Sequence, residues 1–192
     1  MGYGDEMYAK MCNEEFRGSF VSKLFSYLKK GLWHTTSSKG LTGILHDGFI
    51  LPNNGERLFS YPQTENSYAF LHEYVALFDF ESATERQCIE EHLKWATFFT
   101  RYDPLTIAIE LSRENIKQWL IPPRRAEQEV DFSQMWIPYV ECWSSKPIPK
   151  EAVVRCLLIL SKEKSTRSIA INSERDWEKV KKVLNKTPMA KK

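Results

Sequence analysis

His34, Thr35 and Thr36 stand together in the string Leu32-Trp33-His34-Thr35-Thr36-Ser37-Ser38-Lys39-Gly40-Leu41, and Glu141 is the lone acid in Ile137-Pro138-Tyr139-Val140-Glu141-Cys142-Trp143-Ser144-Ser145-Lys146-Pro147-Ile148-Pro149. An imidazole beside two hydroxyls can orient a polar ligand, and a carboxylate can stabilise positive charge or move a proton. Ile137, Val140 and Trp143 make the second string apolar. A carboxylate buried there is costly unless it has a partner or a task. The two strings therefore read as halves of one split site. No Gly-rich phosphate loop, paired-His metal spacing or Gly-x-Ser-x-Gly elbow accompanies them. The commoner hydrolase and nucleotide-loop chemistries thus lack their signatures, and no metal is expected.

The elements that must position these groups follow from local pattern. The first string reads as a short strand running into a helix, with Ser37 or Ser38 as the cap, Leu41, Ile44 and Leu45 as its apolar face and Gly48 as its stop. Residues 5–30 are expected to be mainly helical, with Phe16, Phe20, Leu24, Tyr27 and Leu28 at helical spacing and Gly31 as the end. Extended segments are expected at 49–51, 74–80, 105–111, 137–143, 153–160 and 167–171, with Pro52-Asn53-Asn54-Gly55 as a turn. Residues 84–100 read as one amphipathic helix carrying Ile89, Leu93, Ala96 and Phe99, a short helix falls near Asn115 and Trp119, and residues 121–129 read as a long polar loop. A last helix starts at Asn172 or Ser173, with Asp176 placed for a capping box. Strands in irregular order with flanking helices give an α+β domain with a split, mostly antiparallel central sheet.

A chain of 192 residues with 42% hydrophobic composition has apolar material for one well-filled domain and little room for two. The expected organisation is an N-terminal helical segment at 1–31, the domain at 32–186 and a basic tail at 187–192. The 27 basic and 25 acidic residues are too evenly balanced for a general nucleic-acid surface. No apolar run approaches the roughly 20 residues that span a bilayer, and the acidic, polar opening is unlike a signal peptide, so no membrane partner and a cytoplasmic location are expected. Cys12, Cys88, Cys142 and Cys156 are scattered and read as reduced, structural thiols.

The residues of the two strings resemble those of ADP-ribosyltransferases of the diphtheria-toxin and poly(ADP-ribose) polymerase type. Small prokaryotic DarT-like toxins of that fold open with an aromatic-His-x-Thr string, a Gly-Leu-x-x-Ile-Leu helix and a Gly-x-Ile turn. Trp33-His34-Thr35-Thr36, Gly40 to Leu45 and Gly48 to Ile50 are similar, and the likeness extends over residues 32–160. It implies a cytoplasmic, toxin- or defence-related enzyme that uses NAD as substrate and transfers ADP-ribose to a macromolecular acceptor. It also implies roles for individual residues. His34 would bind the adenosine ribose, the Thr35 backbone the nicotinamide amide, and Thr36 would support that edge. Tyr68, or else Tyr61, would stack on nicotinamide, and Glu141 would act on the nicotinamide ribose as the catalytic group. A fixed carboxylate suits that task, since positive charge grows on the ribose as the glycosidic bond breaks. A planar cation also suits an aromatic face.

The sequence departs from this pattern at two places. Thr35 stands where the family often has Gly, and Tyr139 stands where the arginine-modifying branch has an acid or Gln, which turns expectation away from protein arginine. Arg124 and Arg125, with Tyr139, are the acceptor-binding candidates, because guanidinium matches phosphate geometry. A nucleic acid or another phosphate-bearing acceptor is favoured over protein arginine, with the acceptor a nucleic acid or a protein. The alternative is a non-catalytic module of the same fold that binds NAD, ADP-ribose or a protein. His46, His72 and His92 have no convincing partner in the sequence, and His72 is notable only for its closeness to Tyr68.

Overall fold

A computed structural model describes residues 14–53, 64–102, 104–129 and 135–186. β-Branched and aromatic residues concentrate in its strands: β1 (Leu32–Ser37), β2 (Phe49–Ile50), β3 (Val75–Asp79), β4 (Thr106–Leu111), β5 (Leu120–Ile121), β6 (Glu141–Ser144), β7 (Ile148–Pro149), β8 (Val153–Leu160) and β9 (Ser165–Ala170). β2 pairs with β7, and the other seven form one sheet in the order β5-β6-β3-β1-β4-β8-β9, antiparallel throughout. The helices are α1 (Phe20–Leu28), α2 (Ser38–Asp47), α3 (Tyr68–Leu71), α4 (Glu85–Glu90), α5 (His92–Thr100), α6 (Arg113–Ile116), α7 (Pro123–Glu129) and α8 (Glu174–Lys186). The fold is thus α+β with an antiparallel sheet, as the sequence leads one to expect.

Two separate half-sheets do not form, because the hydrogen-bonded order is continuous. Division is confined to one place. β1 meets β3 only at Leu32↔Asp79 and Trp33↔Phe78, yet runs with β4 from Leu32↔Leu111 to Ser37↔Thr106. Beyond Trp33 the strands β1 and β3 part.

Alternation along the strands sends alternate residues to opposite faces. On one face Ile107, Ile109 and Leu158 pack with Leu41 and Ile44 of α2 and with Trp177 and Val180 of α8. On the other, Trp33, Phe78 and Leu157 pack with Leu24, Phe25 and Leu28 of α1 and with Trp95 and Phe99 of α5. Part of the N-terminal helical segment is therefore built into the core. Among the described residues no helix is long and apolar enough to cross a membrane. Cys88, Cys142 and Cys156 are buried free thiols, and Cys12 lies outside the described residues.

Four local expectations need correction. The N-terminal helical run is interrupted at Gly18, with φ of 74°, and restarts at α1, where the Ser19 hydroxyl accepts a hydrogen bond from the Ser22 N–H at 3.1 Å; residues 5–13 lie outside the described residues. The single helix expected over 84–100 is two helices that break at Glu91. There the His92 ring donates to the Ile89 carbonyl and the Trp95 indole to the Cys88 carbonyl, both at 2.7 Å, so side chains satisfy the carbonyls exposed at the end of α4. Leu93 is consequently exposed rather than on the buried face. Residues 123–129 form α7 instead of a loop, with Pro123 at the first helical position and Arg125 paired to Glu129 one turn on. Finally, residues 138–140 form a turn, so Glu141 begins β6 rather than lying within a longer strand.

The junction of β1 with α1 is tightly filled. A Cβ on Gly31 would lie 2.3 Å from Nε1 of the fully buried Trp33 and 2.9 Å from Oε1 of Glu110. The indole cannot give way, because it donates to the Leu28 carbonyl at 2.9 Å. Gly31→Ala should therefore lower stability by about 1–3 kcal/mol in urea denaturation, and an unchanged midpoint would contradict this packing.

Candidate functional site

The first half of the site is built at the end of β1. The Ser37 hydroxyl accepts from the Gly40 N–H at 3.1 Å and caps α2, which Gly48 ends with φ of 76°. Gly40 is also required sterically, since a Cβ there would fall 2.1 Å from Oγ1 of Thr36. Thr35 and Thr36 are buried. Register sets His34 and Thr36 opposite Ile109 and Ile107 on the face that α2 and α8 cover, while Thr35 lies opposite Ala108 on the aromatic face. His34 Nδ1 lies 3.0 Å from the Ala76 carbonyl of β3. A carbonyl can only accept, so Nδ1 carries a proton, and this bond spans the gap where β1 and β3 separate.

The second half depends on the turn before β6. Tyr139 takes φ of 64°, the Val140 N–H donates to Pro138 at 2.7 Å, and the Glu141 N–H donates to the Ile137 carbonyl at 3.0 Å. The carboxylate reciprocates. Its Oε2 accepts from the Ile137 N–H at 2.8 Å, and its Oε1 accepts from the Trp143 indole at 3.1 Å. Glu141 is only 7% exposed, and among the described residues no cation pairs with it. Burial pushes its pKa up to about 7, with the Ile137 and Trp143 hydrogen bonds pulling the other way.

Tyr68 of α3 packs on Trp143 of β6. Its helix is held to the following strand region by the Tyr68 N–H, which donates to Met135 at 3.2 Å, and by the Met135 N–H, which donates to Asn66 at 3.0 Å. The Tyr68 ring is fully buried, with centroids 4.5 Å from Trp143 and 4.3 Å from His72. Its hydroxyl donates to Glu129 Oε2 at 2.6 Å, and Arg125 donates to the other oxygen at 2.7 Å. Burial and the neighbouring Glu129 carboxylate raise the phenol to about 12.

Trp143 links these groups. It contacts Tyr68, holds Glu141 and stands opposite Ala76, whose carbonyl binds His34. Glu141 lies opposite Phe78 on the aromatic face, beside the last paired position of β1 and β3, whereas His34 lies on the other face of the sheet, where the two strands have parted. Arg124 and Arg125 are exposed on α7, and Arg125 is engaged with Glu129. Tyr139 is 40% exposed in the turn. Tyr61 lies outside the described residues. Sequence reasoning missed Trp143 and Glu129. The first had a signal, because residues two apart on a strand share a face; the second had only its helical spacing from Arg125. Among the described residues no group of acidic, His and Cys side chains could hold a metal ion. The chain matches no family model, no curated protein and no solved structure.

The burial of Glu141 has a consequence for stability. The folded chain keeps its proton up to about pH 7, whereas an unfolded chain loses it near the ordinary 4.5. In that window the folded state binds more protons, so stability falls as pH rises through it and levels off above. Glu141→Gln should remove this slope, which amounts to roughly 3 kcal/mol at about 1.4 kcal/mol per pH unit. Urea denaturation of both forms between these pH values measures it, and parallel profiles would show that burial does not control this carboxyl.

Proposed function

We propose that this protein is an NAD-dependent ADP-ribosyltransferase of the diphtheria-toxin and poly(ADP-ribose) polymerase type, moving ADP-ribose to a macromolecular acceptor and releasing nicotinamide. The observation that carries the reading is Glu141. It is a buried carboxyl that titrates near neutrality, has only neutral donors, and lies on the strand bordering β3, which itself parts from β1. A structural acid in a core is ordinarily matched by a cation, and among the described residues this one is not.

The residues present suit NAD. Bound NAD supplies a glycosidic bond to nicotinamide whose cleavage leaves positive charge on the ribose. Above pH 7 Glu141 is ionised and can stabilise that charge from a fixed position. β3 gives β1 no ladder partner beyond Trp33, which favours a role for the Thr35 backbone toward an amide. His34, with its proton placed on Nδ1, is oriented for the ribose side. Thr36 fills the space beside Gly40 and supports that edge. Tyr68, through its contact with Trp143, is the aromatic nearest the carboxylate's donor. On the acceptor side Arg124 and Tyr139 are exposed, and a phosphate-bearing acceptor suits them better than protein arginine.

Two observations favour a second reading, a non-catalytic module that binds NAD, ADP-ribose or a protein. Tyr68 has no exposed surface, and both Glu141 oxygens are already engaged. Nicotinamide release from NAD by the wild-type chain, lowered at least about a hundredfold in Glu141→Gln with an unchanged circular dichroism spectrum, is the expected result. Full activity in that variant overturns the assignment. Calorimetric titration separates the second reading: saturable NAD binding without turnover establishes a module, and no binding rejects both.

A further inference from the structure

We infer that Trp143 is a positioning residue of this site, whose indole N–H fixes the orientation of the Glu141 carboxylate and favours its ionised form. The effect on the proton stands on geometry alone; the effect on turnover rests on the reading of Glu141 given above.

Glu141 receives two hydrogen bonds of different kinds. One comes from the backbone of its own turn, at Ile137, and the other from Trp143, two residues along the same strand face. The backbone donor fixes one oxygen relative to the turn. The indole fixes the other relative to the sheet, and together they define the plane of the carboxylate. Trp143 is itself immobilised: it is fully buried, its ring meets Tyr68 at 4.5 Å and Trp136 at 6.5 Å, and its backbone pairs with Ala76. A donor held this firmly transmits its position to the acceptor.

The identity of the donor also matters. A Lys or Arg at hydrogen-bond distance would hold Glu141 ionised far below neutrality and leave it a structural ion pair. An indole N–H carries no net charge and does not titrate, so it stabilises the carboxylate against burial without cancelling it. Charged and titratable groups on the surrounding elements have contacts of their own: on the aromatic face His92 of α5 donates to the Ile89 carbonyl, and Arg101 at the end of that helix lies over the Phe98 ring and donates to the Tyr102 hydroxyl. Asp79 of β3 is paired with Arg113, and on the far side of Trp143 the Tyr68 hydroxyl is bound to Glu129, which Arg125 holds, while His72 and Tyr74 stack on each other. Cys142, the next residue, has its thiol pushed up by burial.

The test replaces Trp143 by Trp143→Phe and, to preserve packing, by site-specific incorporation of its benzothiophene isostere, which keeps the ring shape but has no N–H. The Glu141 carboxyl is titrated by ¹³C NMR, assigned by its loss in Glu141→Gln, and nicotinamide release is measured across pH. Without the donor the titration midpoint should rise by about one pH unit or more. The acidic limb of the kcat profile should move with it, and kcat should fall about ten- to a hundredfold with KM for NAD little changed. The isostere makes the test independent of any folding defect in the Phe variant. An unshifted midpoint in the isostere overturns the inference. A shifted midpoint in a protein whose wild type releases no nicotinamide supports the hold of Trp143 on the proton and rejects the proposed reaction instead. Turnover that persists unchanged alongside a shifted midpoint overturns the positioning role.

Discussion

The parting of β1 from β3 after two residue pairs is the constraint around which the molecule is arranged. Leu32 and Trp33 close the junction against Asp79 and Phe78, the residue pairs that join β5, β6 and β3 to β1, β4, β8 and β9 within the sheet. Side chains reinforce so short a seam. Asp79 is buried, accepts from the Glu81 and Ser82 N–H groups at 3.1 and 3.0 Å, and is paired with Arg113. Trp33 is held from above by Leu28 and lies 5.0 Å beneath the Arg155 guanidinium, which also binds Glu110. Past this point the seam is bridged by a side chain, as His34 reaches the Ala76 carbonyl. The strand β1 can then turn into α2, where the hydroxyl of Thr36 occupies the space that Gly40 leaves.

The same seam governs the electrostatics of the site. β3 carries Phe78 in the seam and Ala76 beyond it, and their ladder partners on β6 are Glu141 and Trp143. The carboxyl is thereby held on the aromatic side, where burial favours its protonated form, and among the described residues two neutral donors offset that cost. A protein selected for stability alone gains nothing from such an arrangement, since an apolar residue of similar size would pack there without the penalty. Functional sites are where such penalties are retained.

Much of this could be read in the sequence wherever one physical signal dominated. The apolar run of β8 is bounded at Val153 and Leu160 as its composition requires, Ser37 caps α2 and Gly48 ends it. The isolated acid at 141 also announced itself, because a carboxylate among Ile, Val and Trp calls for a partner or a task. Failures occurred where tertiary contacts override local pattern. The helical periodicity of residues 84–100 contains no hint that the side chains of His92 and Trp95 would satisfy the end of α4. Nor could spacing show that Arg125 and Tyr68 share one acceptor in Glu129, since that meeting joins residues far apart in the chain. The turn at Tyr139 was hidden by its residue type, for a tyrosine seldom adopts positive φ.

On the proposed reading NAD enters where β1 and β3 part beyond Trp33, with Glu141 one strand away on β6, opposite Phe78. A crystal structure with a carba-NAD, in which the scissile glycosidic bond cannot break, tests it most directly. The nicotinamide-side sugar is expected within hydrogen-bond distance of the Glu141 carboxylate, with the adenosine side toward His34. Ligand bound elsewhere on the molecule, or a gap that stays closed at saturating ligand, would contradict it.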